Sequence, residues 1–104
     1  MEIEYKSKKL EKECNDIKAA TRSYGKNCAK ILLEYINYLI ASDSLKDIEN
    51  LRFPHLHWLK GKRQNQCAVY LEHPKRLVFE PIDIKSKDFK NIKKIKIIEI
   101  IDYH

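Results

Sequence analysis

The sequence predicts an α+β domain over residues 1–104, with two N-terminal helices as an αα-hairpin packed on one face of a mainly antiparallel sheet of three to five strands. Three observations predict it. Cys28, Ile31, Leu32, Tyr35, Ile36, Leu39 and Ile40 recur at the i, i+3, i+4, i+7 spacing of one helix face. Two strand-forming runs, Cys67 to Glu72 and Arg76 to Glu80, flank the short turn His73-Pro74-Lys75. The chain then closes on Lys94 to His104, which holds five isoleucines and ends on Asp102, Tyr103 and His104. β-Branched side chains favour a pleated, half-buried surface. So continuous an apolar run predicts a strand covered on both faces near the sheet centre, about 30 Å long at roughly 3.3 Å per residue.

Taken in order, Glu2 to Tyr5 alternates polar and apolar residues and predicts a short first strand. Ser7 is a suitable N-cap, and Leu10, Cys14 and Ile17 mark one stripe of a helix over residues 8–24, with Gly25 as its stop. The stripe from Cys28 to Ile40 is the second helix, and its apolar residues are core. Ser44 and Asp47 have capping-box-like spacing, which predicts a short turn of helix to about Leu51, and Pro54 ends helical structure. Phe53 to Gln66 is irregular, polar and basic, and Pro81 to Ile92 is a lysine-rich connection into the final strand.

Composition narrows the partners. A net charge of +6 and a pI near 9.2 suggest an anionic partner, most readily nucleic acid, or equally a solvated lysine-rich surface. Met1 to Lys9 has no apolar targeting region, and no run approaches the ~18 residues of a spanning helix, so a cytoplasmic chain without membrane contact is expected. The three cysteines are too widely spaced for zinc and are read as small buried hydrophobes where they fall on helix stripes. The acids are scattered, so no metal site and no cofactor are expected.

Two stretches carry chemistry. His55-Leu-His-Trp-Leu-Lys-Gly-Lys-Arg63 joins imidazoles and an indole to three cations. RNA binding needs cations for phosphates and π-faces for unstacked bases, which Lys60, Lys62, Arg63 and Trp58 can supply. A basic loop anchored to the core by Trp58 is an equally common use of such a stretch. The tail Asp102-Tyr103-His104 offers a carboxylate, a phenol and an imidazole at the end of a rigid strand. Cleavage of RNA through its 2′-hydroxyl needs a base, an acid and charge stabilisation at phosphorus, and histidine suits either proton role near neutral pH. Arg76 can bind an adjacent phosphate bidentately, or simply pair with Glu72 or Glu80.

Together, His57-Trp-Leu-Lys-Gly-Lys-Arg63, His73-Pro-Lys-Arg-Leu-Val-Phe79 and Ile97-Ile-Glu-Ile-Ile-Asp-Tyr-His104 resemble the HigB toxins, the plasmid-maintenance killer proteins of the RelE/ParE superfamily. The family pattern runs His-Pro-Leu-Lys-Gly-Asp-Arg, then Arg-aliphatic-aliphatic-Phe, then a terminal Asp-Tyr-His. Trp58 stands where the pattern has proline, and Lys62 where it has aspartate. The resemblance implies a RelE-like fold and ribosome-dependent, metal-independent cleavage of mRNA in the ribosomal A site. It also implies neutralisation by a cognate HigA-type helix-turn-helix antitoxin. It assigns catalysis to His57, Asp102, Tyr103 and His104, and phosphate contact to Lys60, Arg63 and Arg76; Lys62 and Trp58 depart from the pattern and keep the RNA-binding roles read from the stretch itself. Two alternatives use the same scaffold or charge: a ParE-like inhibitor of DNA gyrase without catalysis, and a basic RNA-binding protein without activity.

Overall fold

The computed structural model describes residues 1–51 and 55–102. The chain termination of helical structure assigned to Pro54, the start of the basic stretch at Phe53, and the site residues Tyr103 and His104 lie outside the described residues. Strand β1 is Glu2–Tyr5, followed by helices α1 Lys8–Asn15, α2 Ile17–Tyr24, α3 Lys26–Ala41 and α4 Leu45–Glu49. Strands β2 His57–Trp58, β3 Cys67–Tyr70, β4 Lys75–Pro81 and β5 Lys94–Asp102 complete the fold.

The single helix predicted over residues 8–24 is two helices. Asp16 adopts extended backbone, and its carboxylate accepts from the Lys18 amide at 2.9 Å, so it caps α2 rather than continuing α1. Asn15 adds a bond to the Glu11 carbonyl and one to the Tyr5 hydroxyl. Such short polar side chains compete for backbone groups and favour helix ends over interiors. The break also moves Ile17 off the expected stripe, leaving it 47% exposed. Glu13, buried in α1, is satisfied across the break by the Ser23 and Tyr24 hydroxyls. Gly25, at φ 87°, joins α2 to α3, a conformation that a Cβ disfavours. In α3, Cys28, Leu32, Tyr35, Ile36 and Leu39 are buried as the spacing predicts, whereas Ile40 stands exposed. Ser44 caps α4 by accepting from the Lys46 amide and Asp47 accepts from the Asp43 amide, each one residue short of the reciprocal pairing that a capping box makes.

The sheet is mixed, with strand order β1-β5-β4-β3-β2. β1 runs parallel to β5, and the other neighbours are antiparallel. Cys67, Val69, Leu77, Phe79, Ile95 and Ile97 share one core cluster with Leu10, Leu32, Ile36, Leu39 and Leu45 from the helices. The opposite face holds a small cluster of Leu59, Ala68 and Val78, bordered by Ile98 and Ile101, with no helix residue in it.

This corrects the expectation that the last strand is covered on both faces. β5 is an interior strand, but its second face is only half covered. Its adjacent isoleucines have another cause, a β-bulge. Phe79 pairs with Ile97 and Val78 with Glu99, which leaves Ile98 as an extra residue on β5. The bulge resets the alternation, so Ile97 faces the main core while Ile98 and Ile101 border the smaller cluster.

Candidate functional site

The open face of the sheet gathers a basic and aromatic cluster near the β3–β4 turn. Tyr70 pairs with Arg76 across that hairpin, and His57 pairs with Ala68 on the other side of β3. Because alternate residues of a strand share a face, Ala68 and Tyr70 bring His57 and Arg76 onto one surface. Tyr70 is its centre. The Arg76 guanidinium carbon lies 3.9 Å from the Tyr70 ring centre. The His55 ring is 5.0 Å away and the His57 ring, edge-on, 5.7 Å away.

Arg76 is oriented from below as well. One terminal nitrogen donates to the Pro74 carbonyl at 3.1 Å and to the Lys75 carbonyl at 3.2 Å. No ion pair involves Arg76 among the described residues, so the pairing with Glu72 or Glu80 does not form. Among the described residues, the rest of its planar donor fork, a shape suited to an anion, has no partner. Beside it opens a notch of about 190 Å³ lined by Tyr70, Leu71, His73 and Arg76.

His57 is held by backbone. Its Nδ1 donates to the His55 carbonyl at 2.9 Å, and the two rings lie 5.2 Å apart. His55 makes this contact from φ 62°, an uncommon conformation for a non-glycine residue.

The remaining sequence-selected residues are distributed differently. Trp58, next to His57, points to the helix side of the sheet and stacks on Phe89 with ring centres 5.6 Å apart. Lys87 sits over the same ring at 4.8 Å and also donates to the Gln64 carbonyl. The indole therefore anchors the basic loop to the core. Lys60 and Lys62 are exposed around the 3₁₀ turn Gly61–Arg63. Arg63 pairs with Glu99 on β5, yet its other terminal nitrogen is buried with no hydrogen-bond partner among the described residues.

Asp102 ends β5 opposite Lys75, with an ion pair of 3.6 Å between them. Its strand neighbour Ile101 borders the open-face cluster, so alternation directs Asp102 to the helix side, away from His57 and Arg76. The described residues thus unite His57 with Arg76 and leave Trp58 and Asp102 on the opposite face. They contain no group of three or more His, Cys, Asp or Glu side chains able to hold a metal ion. No described helix is long and apolar enough to cross a membrane.

Sequence reasoning missed Tyr70 and the part played by His55. The turn expected at His73 to Lys75, centred on Pro74, would set Glu72 opposite Arg76; the observed register is centred on His73 and sets Tyr70 there instead.

No family model matches the chain, and no curated protein matches it. Among solved structures, a YoeB/ParE toxin from Agrobacterium tumefaciens is similar with a TM-score of 0.61 and 9% sequence identity, over 100% of both chains. At that identity the likeness shows the fold: an α+β arrangement of four helices and a five-stranded mixed sheet.

Proposed function

We propose that this chain is the toxin of a type II toxin–antitoxin system and acts as a ribosome-dependent mRNA endonuclease of the HigB kind. The observation that carries the reading is the meeting of His57 and Arg76 around Tyr70 on the uncovered face of the sheet. The fold shared with a YoeB/ParE toxin supports the broader class. The ordered motifs ending in Asp102-Tyr103-His104 support the nuclease branch over a gyrase inhibitor, which needs no acid–base set.

In this reading Arg76 binds the non-bridging oxygens of the scissile phosphate, a planar donor fork being well matched to that geometry. His57 takes the proton of the 2′-hydroxyl as its oxygen attacks phosphorus. The bond from phosphorus to the 5′ oxygen of the next nucleotide breaks, and that oxygen receives a proton from the tail, for which His104 is the assigned acid. The products are a 2′,3′-cyclic phosphate and a 5′-hydroxyl end. Tyr103 stacks on a base or supplies a proton, and Asp102 fixes the end of β5 through Lys75. Lys60 and Lys62 hold flanking phosphates, Arg63 joins them where it leaves Glu99, and the role of Trp58 is to hold their loop. The antitoxin partner is a HigA-type helix-turn-helix protein, and the site of action is the A site of cytoplasmic ribosomes.

The test combines translation of a defined mRNA on purified ribosomes, mapping of its 5′ ends, and a gyrase supercoiling assay. Discrete new 5′ ends that require His57 and Arg76, with supercoiling untouched, support the proposal. Inhibited supercoiling with intact mRNA would replace it with the gyrase reading, and RNA binding without cleavage with the inactive one.

A further inference from the structure

We infer that the left-handed backbone of His55 fixes His57 as the Nδ1–H tautomer, which makes Nε2 the proton acceptor at this site. A carbonyl oxygen can only accept a hydrogen bond, so the 2.9 Å contact between His57 Nδ1 and the His55 carbonyl requires the proton on Nδ1. In a neutral imidazole the other nitrogen then carries the lone pair. A contact between residues only two apart is not a consequence of strand pairing. It arises because His55 turns its carbonyl back from φ 62°, immediately before β2 begins at His57. Non-glycine residues in that region are uncommon and cluster where surrounding structure holds them for a purpose. The surroundings are present here, since the His55 ring packs against both the His57 and Tyr70 rings at 5.2 and 5.0 Å. The histidine pair thus divides its work. His55 is a positioning residue through its carbonyl, which the backbone at φ 62° aims, while His57 presents Nε2.

The tautomer stands apart from any activity, whereas its use as the general base rests on the endonuclease reading. The experiment is long-range proton–nitrogen correlation NMR on histidine-labelled full-length protein, at a pH where the rings are neutral. The expected spectrum gives His57 a pyrrole-like Nδ1 and a pyridine-like Nε2. The reverse pattern in the wild-type protein would overturn the inference. His55→Gly tolerates the backbone angle and keeps the carbonyl, so it should retain the wild-type tautomer. His55→Val disfavours positive φ and should release it, with cleavage falling at least about tenfold. A tautomer unchanged in His55→Val would equally overturn the role of the backbone. If the spectrum is as expected but ribosomes show no cleaved mRNA, the endonuclease reading alone fails. If mRNA is cleaved but Nε2 carries the proton, this inference alone fails.

Discussion

The Arg76 guanidinium rests on the face of the Tyr70 ring at 3.9 Å, and the two residues are direct partners across the β3–β4 hairpin. The stack makes Tyr70 a support for the cation that the proposed reaction needs. Tyr70→Phe keeps the ring face, and its cleavage rate should stay within about threefold of wild type. Tyr70→Leu removes the face, and a loss of about tenfold is expected from a cation–π contact of roughly 1–2 kcal/mol. Single-turnover rates on programmed ribosomes measure both. Equal rates for the two variants would deny Tyr70 this role.

His57 should matter to chemistry and hardly to folding. It is half-buried at the edge of the sheet, in a two-residue strand, and its ring borders Tyr70 instead of the main core. His57→Ala should therefore unfold within a few degrees of wild type while cleavage falls about 10²–10⁴-fold, the usual loss for a general acid–base group. Thermal unfolding and the same single-turnover assay separate the two effects. A large drop in Tm with cleavage retained would mark His57 as structural.

The cations of the basic loop are unequal, and salt dependence should reveal it. Lys62 is exposed, whereas Arg63 is paired with Glu99. Removing a phosphate contact from a single-stranded complex flattens the plot of log affinity against log salt by about 0.7. Lys62→Ala should show that change. Glu99→Gln releases Arg63 and should steepen the slope by a similar amount. Filter binding of a single-stranded RNA over a salt series gives both slopes, and an unaltered slope for Lys62→Ala removes that residue from the RNA contact.

These residues also mark what could and could not be read from the chain. The α3 stripe, the hairpin and the first strand were legible because side-chain periodicity reports directly on a buried face. The break at Asp16 was not, because a periodic stripe from Leu10 to Ile17 outweighed the capping chemistry of Asn15 and Asp16. The bulge at Ile98 hid the two-sided character of β5, and with it the face on which Asp102 lies. Strand propensity marked Tyr70 as β without naming its partner, which only register supplies. The carbonyl of His55 lies beyond any residue pattern, since its aim depends on one backbone angle.

Alkaline pH should destabilise the fold. Burial pushes the Cys14 and Cys67 thiols up from 9.0 to about 12. Between those values the unfolded chain releases protons that the folded chain keeps. The stabilising preference for neutral thiols is therefore complete below pH 9.0 and declines as pH rises towards about 12. Each thiol can contribute a slope of up to about 1.4 kcal/mol per pH unit. Urea unfolding across this range should show falling midpoints, and Cys67→Ala should reduce the pH slope whatever its effect at neutral pH. Midpoints independent of pH would show that the thiols ionise alike in both states.

Removing Tyr103 and His104 should abolish cleavage and spare the fold. The antiparallel register of β5 with β4 runs from Ile95 opposite Pro81 to Asp102 opposite Lys75, and the Lys75–Asp102 ion pair closes it. A chain ending at Asp102 keeps every one of those pairings. Its buried isoleucines, Ile95 and Ile97, also lie far before the cut. The proposed reaction, by contrast, loses a phenol and the acid that protonates the leaving 5′ oxygen, a combination expected to cost at least about 10²–10⁴-fold in rate. Thermal unfolding establishes that the shortened chain is folded, and single-turnover cleavage on ribosomes establishes what it has lost. A folded protein that still cleaves at close to the full-length rate would remove the tail from the active site and leave the acid role to another residue.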